Sequence, residues 1–310
     1  MQQPVCGYFG KLPWHGDFLR EAPANAPIDL FDAWLAPAPI GPPGPASAAF
    51  DAAGPALAAV RSRGHWWAMA LFPSQDAVGR RFPFCAFAGL PEAEFAGEAG
   101  VVPVAWAPFL VRCLQTAARG WPGNPAALTA AVAACAQPID IDGEAHRLVE
   151  SLADRRASAL WAAVCGGDAR RRDGLWADLM ALARDPGETV GFRLAPMAHQ
   201  LDLAFLLMAQ RLIGQPASSP VLIGMHPGRP GEAASAGVLW GRPSAAECLA
   251  ALWPAMPGVQ TARIHDLAAR PGTIGDPDDA PEALADPEMA LRDLLHSLGS
   301  ATRRITRRPT

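Results

Sequence analysis

The stretch GYFGKLPWHGDFLR at 7–20 crowds Lys11, His15 and Asp17 among three glycines, and Lys11 is the only lysine of the chain. A lone amine beside glycines could hold a phosphate, and an imidazole two residues from a carboxylate could move a proton. A second dense stretch, PSQDAVGRRFPF at 73–84, brings Ser74, Asp76, Arg80 and Arg81. Its paired arginines could bind phosphate or carboxylate through their planar forks. They could equally pair with Asp17 or Asp76 inside the fold.

The specific chemistries fail on their defining positions. A phosphate-binding loop of the form GxxxxGK[ST] needs a glycine where this chain has Val5 and a hydroxyl where it has Leu12. Pro13 follows the lysine too closely for a glycine-rich turn into a helix, so the dinucleotide fingerprint is missing as well. The chain has no GxSxG nucleophile elbow. Six cysteines at 6, 85, 113, 135, 165 and 248 form no CxxC pair, and they read as small buried hydrophobes. Alanine, arginine and proline are over-used as a GC-rich coding bias would produce, so the scarcity of lysine is weak evidence of selection. The sequence therefore predicts no enzyme activity, no cofactor and no metal.

With 310 residues, half of them hydrophobic, the chain can bury a large core. A net charge of -4 gives no global field for nucleic acid. The start MQQPVCGYFG is unlike a signal peptide, and LDLAFLLMAQRLI at 201–213 is short and interrupted by Asp202 and Arg211, so no membrane insertion is expected. These features predict a cytoplasmic protein whose partners are recognised locally.

The elements that must position the two stretches are strands and helices in alternation. Apolar runs at 4–9, 65–72, 82–89, 220–225, 236–240 and 259–265 suit strands covered on both faces. Helical spacing joins Ile28, Phe31, Trp34 and Leu35; Phe109, Leu110, Cys113 and Leu114; and Leu148, Leu152, Leu160 and Trp161. A core helix is predicted at 198–213, ended by Gly214 and Pro216, and another at 244–254 with Ser244 and Glu247 as a capping box. On strand 65–72, Trp66 and Trp67 point to opposite faces, so at least one belongs to the core. RRRD at 170–173 reads as a solvated turn before a helix near 174–184, and GPPGPASAAFDAAGPAL at 41–57 as a surface connection.

This pattern predicts an α/β fold with helices on both sides of a mixed sheet, as one globular domain over 1–270. The acidic, proline-rich composition after about 270 predicts a linker, then a tail over 271–310. In that tail Leu291, Leu294, Leu295 and Leu298 share a face of a short amphipathic helix, followed by Arg303, Arg304, Arg307 and Arg308.

Taken together, GYFGKLP at 7–13, GDF at 16–18, FDAWL at 31–35 and PSQDAVGRRFP at 73–83 resemble the type VI secretion system-associated family TagF, also called ImpM. The resemblance is clear over roughly residues 1–115 and thins beyond, with SAGVLWGRPSAAECLAAL at 235–252 similar to a late strand, turn and helix. It implies a three-layer αβα sandwich. It also implies a post-translational negative regulator that represses type VI secretion by binding the system's forkhead-associated scaffold protein. Two other readings stand beside it: a phosphate- or nucleotide-binding enzyme or sensor with an anion pocket at Lys11, Arg80 and Arg81, and a structural component of the secretion machine. Lys11, His15 and Asp17 are expected to meet Ser74, Asp76, Arg80 and Arg81 in one polar cluster at the end of the sheet.

Overall fold

The computed structural model describes residues 1–36, 44–96, 98–184, 191–197, 200–213, 220–227, 234–253, 264–266, 276 and 281–305. Among these residues nine strands form one sheet. They are β1 (Val5–Gly10), β2 (Leu19–Glu21), β3 (Ala56–Ser62), β4 (His65–Phe72), β5 (Phe84–Pro91), β6 (Gly191–Met197), β7 (Leu222–His226), β8 (Ala234–Leu239) and β9 (Ile264–Asp266). Their order across the sheet is β2-β1-β5-β4-β3-β7-β8-β6-β9. Every pairing is antiparallel except that of β6 with β9, which makes the sheet mixed.

Among the described residues ten α-helices cover the two faces: α1 (Ile28–Leu35), α2 (Pro45–Ala52), α3 (Val102–Arg119), α4 (Pro125–Cys135), α5 (Ile141–Asp154), α6 (Ala157–Cys165), α7 (Ala169–Arg184), α8 (Gln200–Ile213), α9 (Ala245–Leu252) and α10 (Leu291–Ile305). The strand period of two divides the apolar residues between two cores. Tyr8, Trp66, Ala68 and Phe84 pack with α3 to α8 and α10, whereas Phe9, Trp67, Met69 and Phe87 pack with α1, α2 and α9. Both adjacent tryptophans are thus core residues, on opposite sides of the sheet. The three-layer αβα arrangement follows from that division.

The alternation of Leu57, Ala59 with Ala56, Ala58 and Val60 splits β3 between the same two cores. α2 falls inside the segment 41–57 expected to be a surface connection, and at its end begins β3, a strand that was not expected. Its run of alanines has low strand propensity, and burial between two helical layers overrides that preference. The expected continuous helix through Leu148 and Trp161 is broken at Arg155 and Arg156, whose backbone is extended between α5 and α6. RRRD at 170–173 lies inside α7 rather than in a turn, because Asp168 Oδ1 accepts the Arg171 N–H at 2.9 Å and so starts the helix earlier.

The capping box at Ser244 is present: the Glu247 N–H donates to Ser244 Oγ at 3.3 Å, and the Ser244 N–H to Glu247 Oε2 at 2.6 Å. Residues 259–263 of one expected strand, Gly214 and Pro216, most of the linker at 271–280, and Arg307 and Arg308 lie outside the described residues. The amphipathic helix expected near the end is α10. Its Leu291, Leu294, Leu295 and Leu298 are buried in the larger core, and the Leu291 N–H donates to Arg155 O at 2.9 Å. The apolar face of this helix is therefore packed on the body of the fold.

Candidate functional site

β1 ends in a close backbone approach. Gly10 has φ +120°, and a Cβ built on it would stand 2.1 Å from the Pro83 carbonyl oxygen. Only glycine fits there, on both conformation and space. The chain then buries Leu12 and turns over Pro13 and Trp14, with the His15 N–H donating to Leu12 O at 3.0 Å. Lys11 is left at the sheet end facing the loop between β4 and β5.

That loop is built around Asp76. Its Oδ1 accepts the backbone N–H groups of Val78 at 3.1 Å and Arg80 at 2.8 Å, which folds 76–80 into a tight turn with Gly79 at φ +84°. The Asp76 N–H donates to Arg80 O at 3.0 Å, and the Gly79 N–H to Asp76 O at 3.0 Å. On the other carboxylate oxygen, Lys11 Nζ stands at 3.0 Å and Arg80 Nε at 2.7 Å. The loop is held to the first stretch by two more bonds: the Ala77 N–H to His15 O at 2.9 Å and the Arg80 guanidinium to Gly16 O at 2.7 Å.

The Asp76 side chain is fully buried and that of Lys11 is 12% exposed. Burial alone would raise the carboxyl's pKa. The N–H of Arg80, the Lys11 ammonium, the Arg80 guanidinium and the N–H of Val78 outweigh it and hold Asp76 well below the usual carboxylate range. An ionised carboxylate with four donors around it is a structural anchor that both stretches share.

The structure brings Lys11, Asp76 and Arg80 together and gives Ser74, His15, Asp17 and Arg81 other partners. Ser74 contributes its carbonyl, which accepts the Phe82 N–H at 3.1 Å. His15 Nδ1 lies 3.0 Å from the backbone oxygen of Asp17. The imidazole is thus not oriented by the Asp17 carboxylate, whose Oδ1 accepts the Phe18 N–H at 2.8 Å as a local turn former. Arg81 leaves the cluster and makes a two-pronged pair with Asp51 at 2.7 Å for each contact. Successive residues of an extended segment point in opposite directions, which separates Arg80 from Arg81.

Three residues of this region escaped the sequence reading. Asp51 sits in the segment taken for a surface connection and carries no motif of its own. Val78, 70% exposed, occupies the tip of the Asp76 turn. Phe18, 39% exposed, stacks edge-on against Phe82 with centroids 4.7 Å apart and so ties the first stretch to the second. An apolar residue at the centre of a glycine-containing turn was the available signal for Val78.

The arrangement does not favour anion capture. Lys11 and Arg80 share the buried Asp76, and Arg81 is matched by Asp51, so a phosphate would have to displace carboxylates already paired. Among the described residues no group of three or more His, Cys, Asp or Glu converges to hold a metal ion, and no helix is long and apolar enough to cross a membrane. What the geometry does provide is a turn braced by Asp76, with Val78 exposed at its tip and a half-exposed Arg80 side chain.

Residues 7–134 match the family model described as TagF N-terminal domain, type VI secretion system-associated. Both stretches lie within that match, which extends somewhat past the first 115 residues. Among solved structures, PA0076 from Pseudomonas aeruginosa PAO1 aligns at 23% identity over 39% of this chain and 64% of that chain, with a TM-score of 0.25. The alignment spans less than two thirds of that protein's length. Among curated proteins nothing matches.

Proposed function

The chain carries a TagF N-terminal domain at residues 7–134, associated with type VI secretion, and from this premise we propose that it is a negative regulator acting after translation. It works by binding rather than by catalysis, and its partner is the forkhead-associated scaffold protein of the secretion system in the cytoplasm. The observation that carries this reading is the turn at 76–80. Its Val78 is 70% exposed, yet the buried Asp76 and its four donors hold the turn rigid against the stretch at 10–16. A solvent-facing apolar tip on a fixed base is suited to inserting into another protein, since little conformational freedom is lost on docking. The charges beneath it are matched within the fold, which supports protein binding over phosphate recognition.

The test combines secretion with capture. Deleting the gene should release secretion under conditions that normally silence it, and the intact chain should retain the scaffold protein in a pull-down. Val78→Asp should lose that capture while unfolding at the wild-type temperature, because its side chain touches solvent. Unchanged secretion in the deletion strain would sink the proposal.

A further inference from the structure

The sheet has an open margin beside the first dense stretch. β2 lies at one end of the strand order, and among the described residues β1 is its only strand neighbour, so the main-chain N–H and C=O groups turned away from β1 face no other strand. Its Arg20 and Glu21 are exposed. Between β2 and α1 runs a groove of about 700 Å³, with the buried Phe9 and Ile28 at its base. Ala22, Ala24 and Ala26 also line it, and their small side chains leave the space open. On the opposite face of β2, Glu21 accepts the hydroxyls of Tyr8 and of Thr129 on α4, so the α1 side is the open one.

We propose that β2 and this groove bind an extended peptide segment of another protein, which adds a strand to the sheet edge and seats a large apolar side chain in the groove. A free strand edge is specific about its occupant, because another extended backbone matches its row of donors and acceptors. Side chains of the added strand alternate, so every second one faces α1. Arg20 stands on that face, since it pairs across the ladder with Phe9, which packs with α1. The residue opposite Arg20 is therefore acidic, and the residue two positions along is the large apolar one that reaches Phe9 and Ile28.

The charges of the groove narrow the choice. Arg63 makes a two-pronged pair with Asp29 at 2.7 and 2.8 Å and donates to Ala26 O at 3.2 Å, so it is already engaged. Among the described residues the side chains of Arg20 and Asp32 have no partner. Arg20 lies on the strand that the peptide joins, within cross-strand reach, whereas Asp32 lies on α1 and repels an acid carried deeper. The acid thus belongs at the strand. β2 spans three residues, and Pro23 follows two positions beyond it without an N–H to donate. Such an edge is too short to template aggregation, yet it suffices to clip one peptide.

The experiment selects a displayed library of random short peptides on the full chain and then follows amide hydrogen exchange with a selected peptide bound. Enrichment of an acidic residue two positions from a large apolar one is expected, with slowed exchange in β2. Arg20→Glu, a change at an exposed side chain, should turn the selected acid into a base. Ala24→Trp, also at an exposed position, should fill the groove and weaken the peptides selected on the wild type by about tenfold or more. No enrichment on the wild-type chain, bound peptides that leave exchange in β2 unchanged, or the same peptides selected on Arg20→Glu would each overturn the proposal. The selection uses no secretion protein, so its outcome is separate from that of the scaffold pull-down.

Discussion

The Lys11 ammonium lies 3.0 Å from the Asp76 carboxylate and is 12% exposed, while Asp76 is fully buried. The chain's one lysine thus completes the shell of an internal anion contributed by the loop between β4 and β5. Removing either partner has different consequences, because the other group is left behind in each case.

Asp76→Asn should be the more damaging change. It leaves the Lys11 and Arg80 charges without a counter-ion and weakens the contacts to the N–H groups of Val78 and Arg80. Thermal unfolding should show a clearly larger loss for Asp76→Asn than for Arg81→Ala, whose pair with the half-exposed Asp51 lies toward solvent. Equal losses would mean that the buried anion is not what braces the turn.

Acid should act through the same residue. The folded-state pKa of Asp76 is lowered, so its contribution to stability is complete above the unfolded carboxylate value of about 3.9 and is lost as pH falls from there toward the folded value. Chemical unfolding from pH 6 down to pH 3 should narrow the gap between the wild type and Asp76→Asn. A gap that stays constant across that range would contradict the assignment.

Gly10→Ala should destabilise through the backbone. The residue adopts φ +120°, and the new methyl would meet Pro83 O, so β1 and β5 would have to separate at their ends. Hydrogen exchange should then quicken at Ala77 and Arg80, which depend on the stretch that Gly10 positions. Ala77 and Arg80 exchanging as in the wild type would detach this glycine from the site.

Leu294→Ala tests whether α10 belongs to the body of the fold. Leu294 is completely buried among residues of α5 and α8, and a Leu→Ala change in such a place costs about 2–5 kcal/mol. A loss below about 0.5 kcal/mol, the level of an ordinary surface substitution, would place the helix outside the cooperative unit.

Much of this molecule was readable from residue pattern. Apolar runs such as HWWAMALF lie between two helical layers and so appear as continuous hydrophobic strands, and Ser244 with Glu247 marked a helix start by local hydrogen bonding alone. The meeting of Lys11 with Asp76 and Arg80 followed from two stretches that leave neighbouring strands at one end. What stayed hidden depends on distant partners. β3 has a weak intrinsic signal because alanines fill it, and the choice of Asp51 by Arg81 depends on where α2 docks. His15 illustrates a different limit: two residues of separation allow a contact to the Asp17 carboxylate or to its backbone, and loop geometry selects the backbone.

The strand order carries a lesson for anyone dividing this chain. The region matching the family ends within α4 and supplies the five contiguous strands β2-β1-β5-β4-β3, while the later sequence supplies β7-β8-β6-β9. Leu57 to Val60 of β3 pair with Leu222 to Met225 of β7 across the junction. A polypeptide stopped at 134 would expose that row of N–H and C=O groups along an apolar, nearly charge-free strand, an invitation to edge-to-edge aggregation.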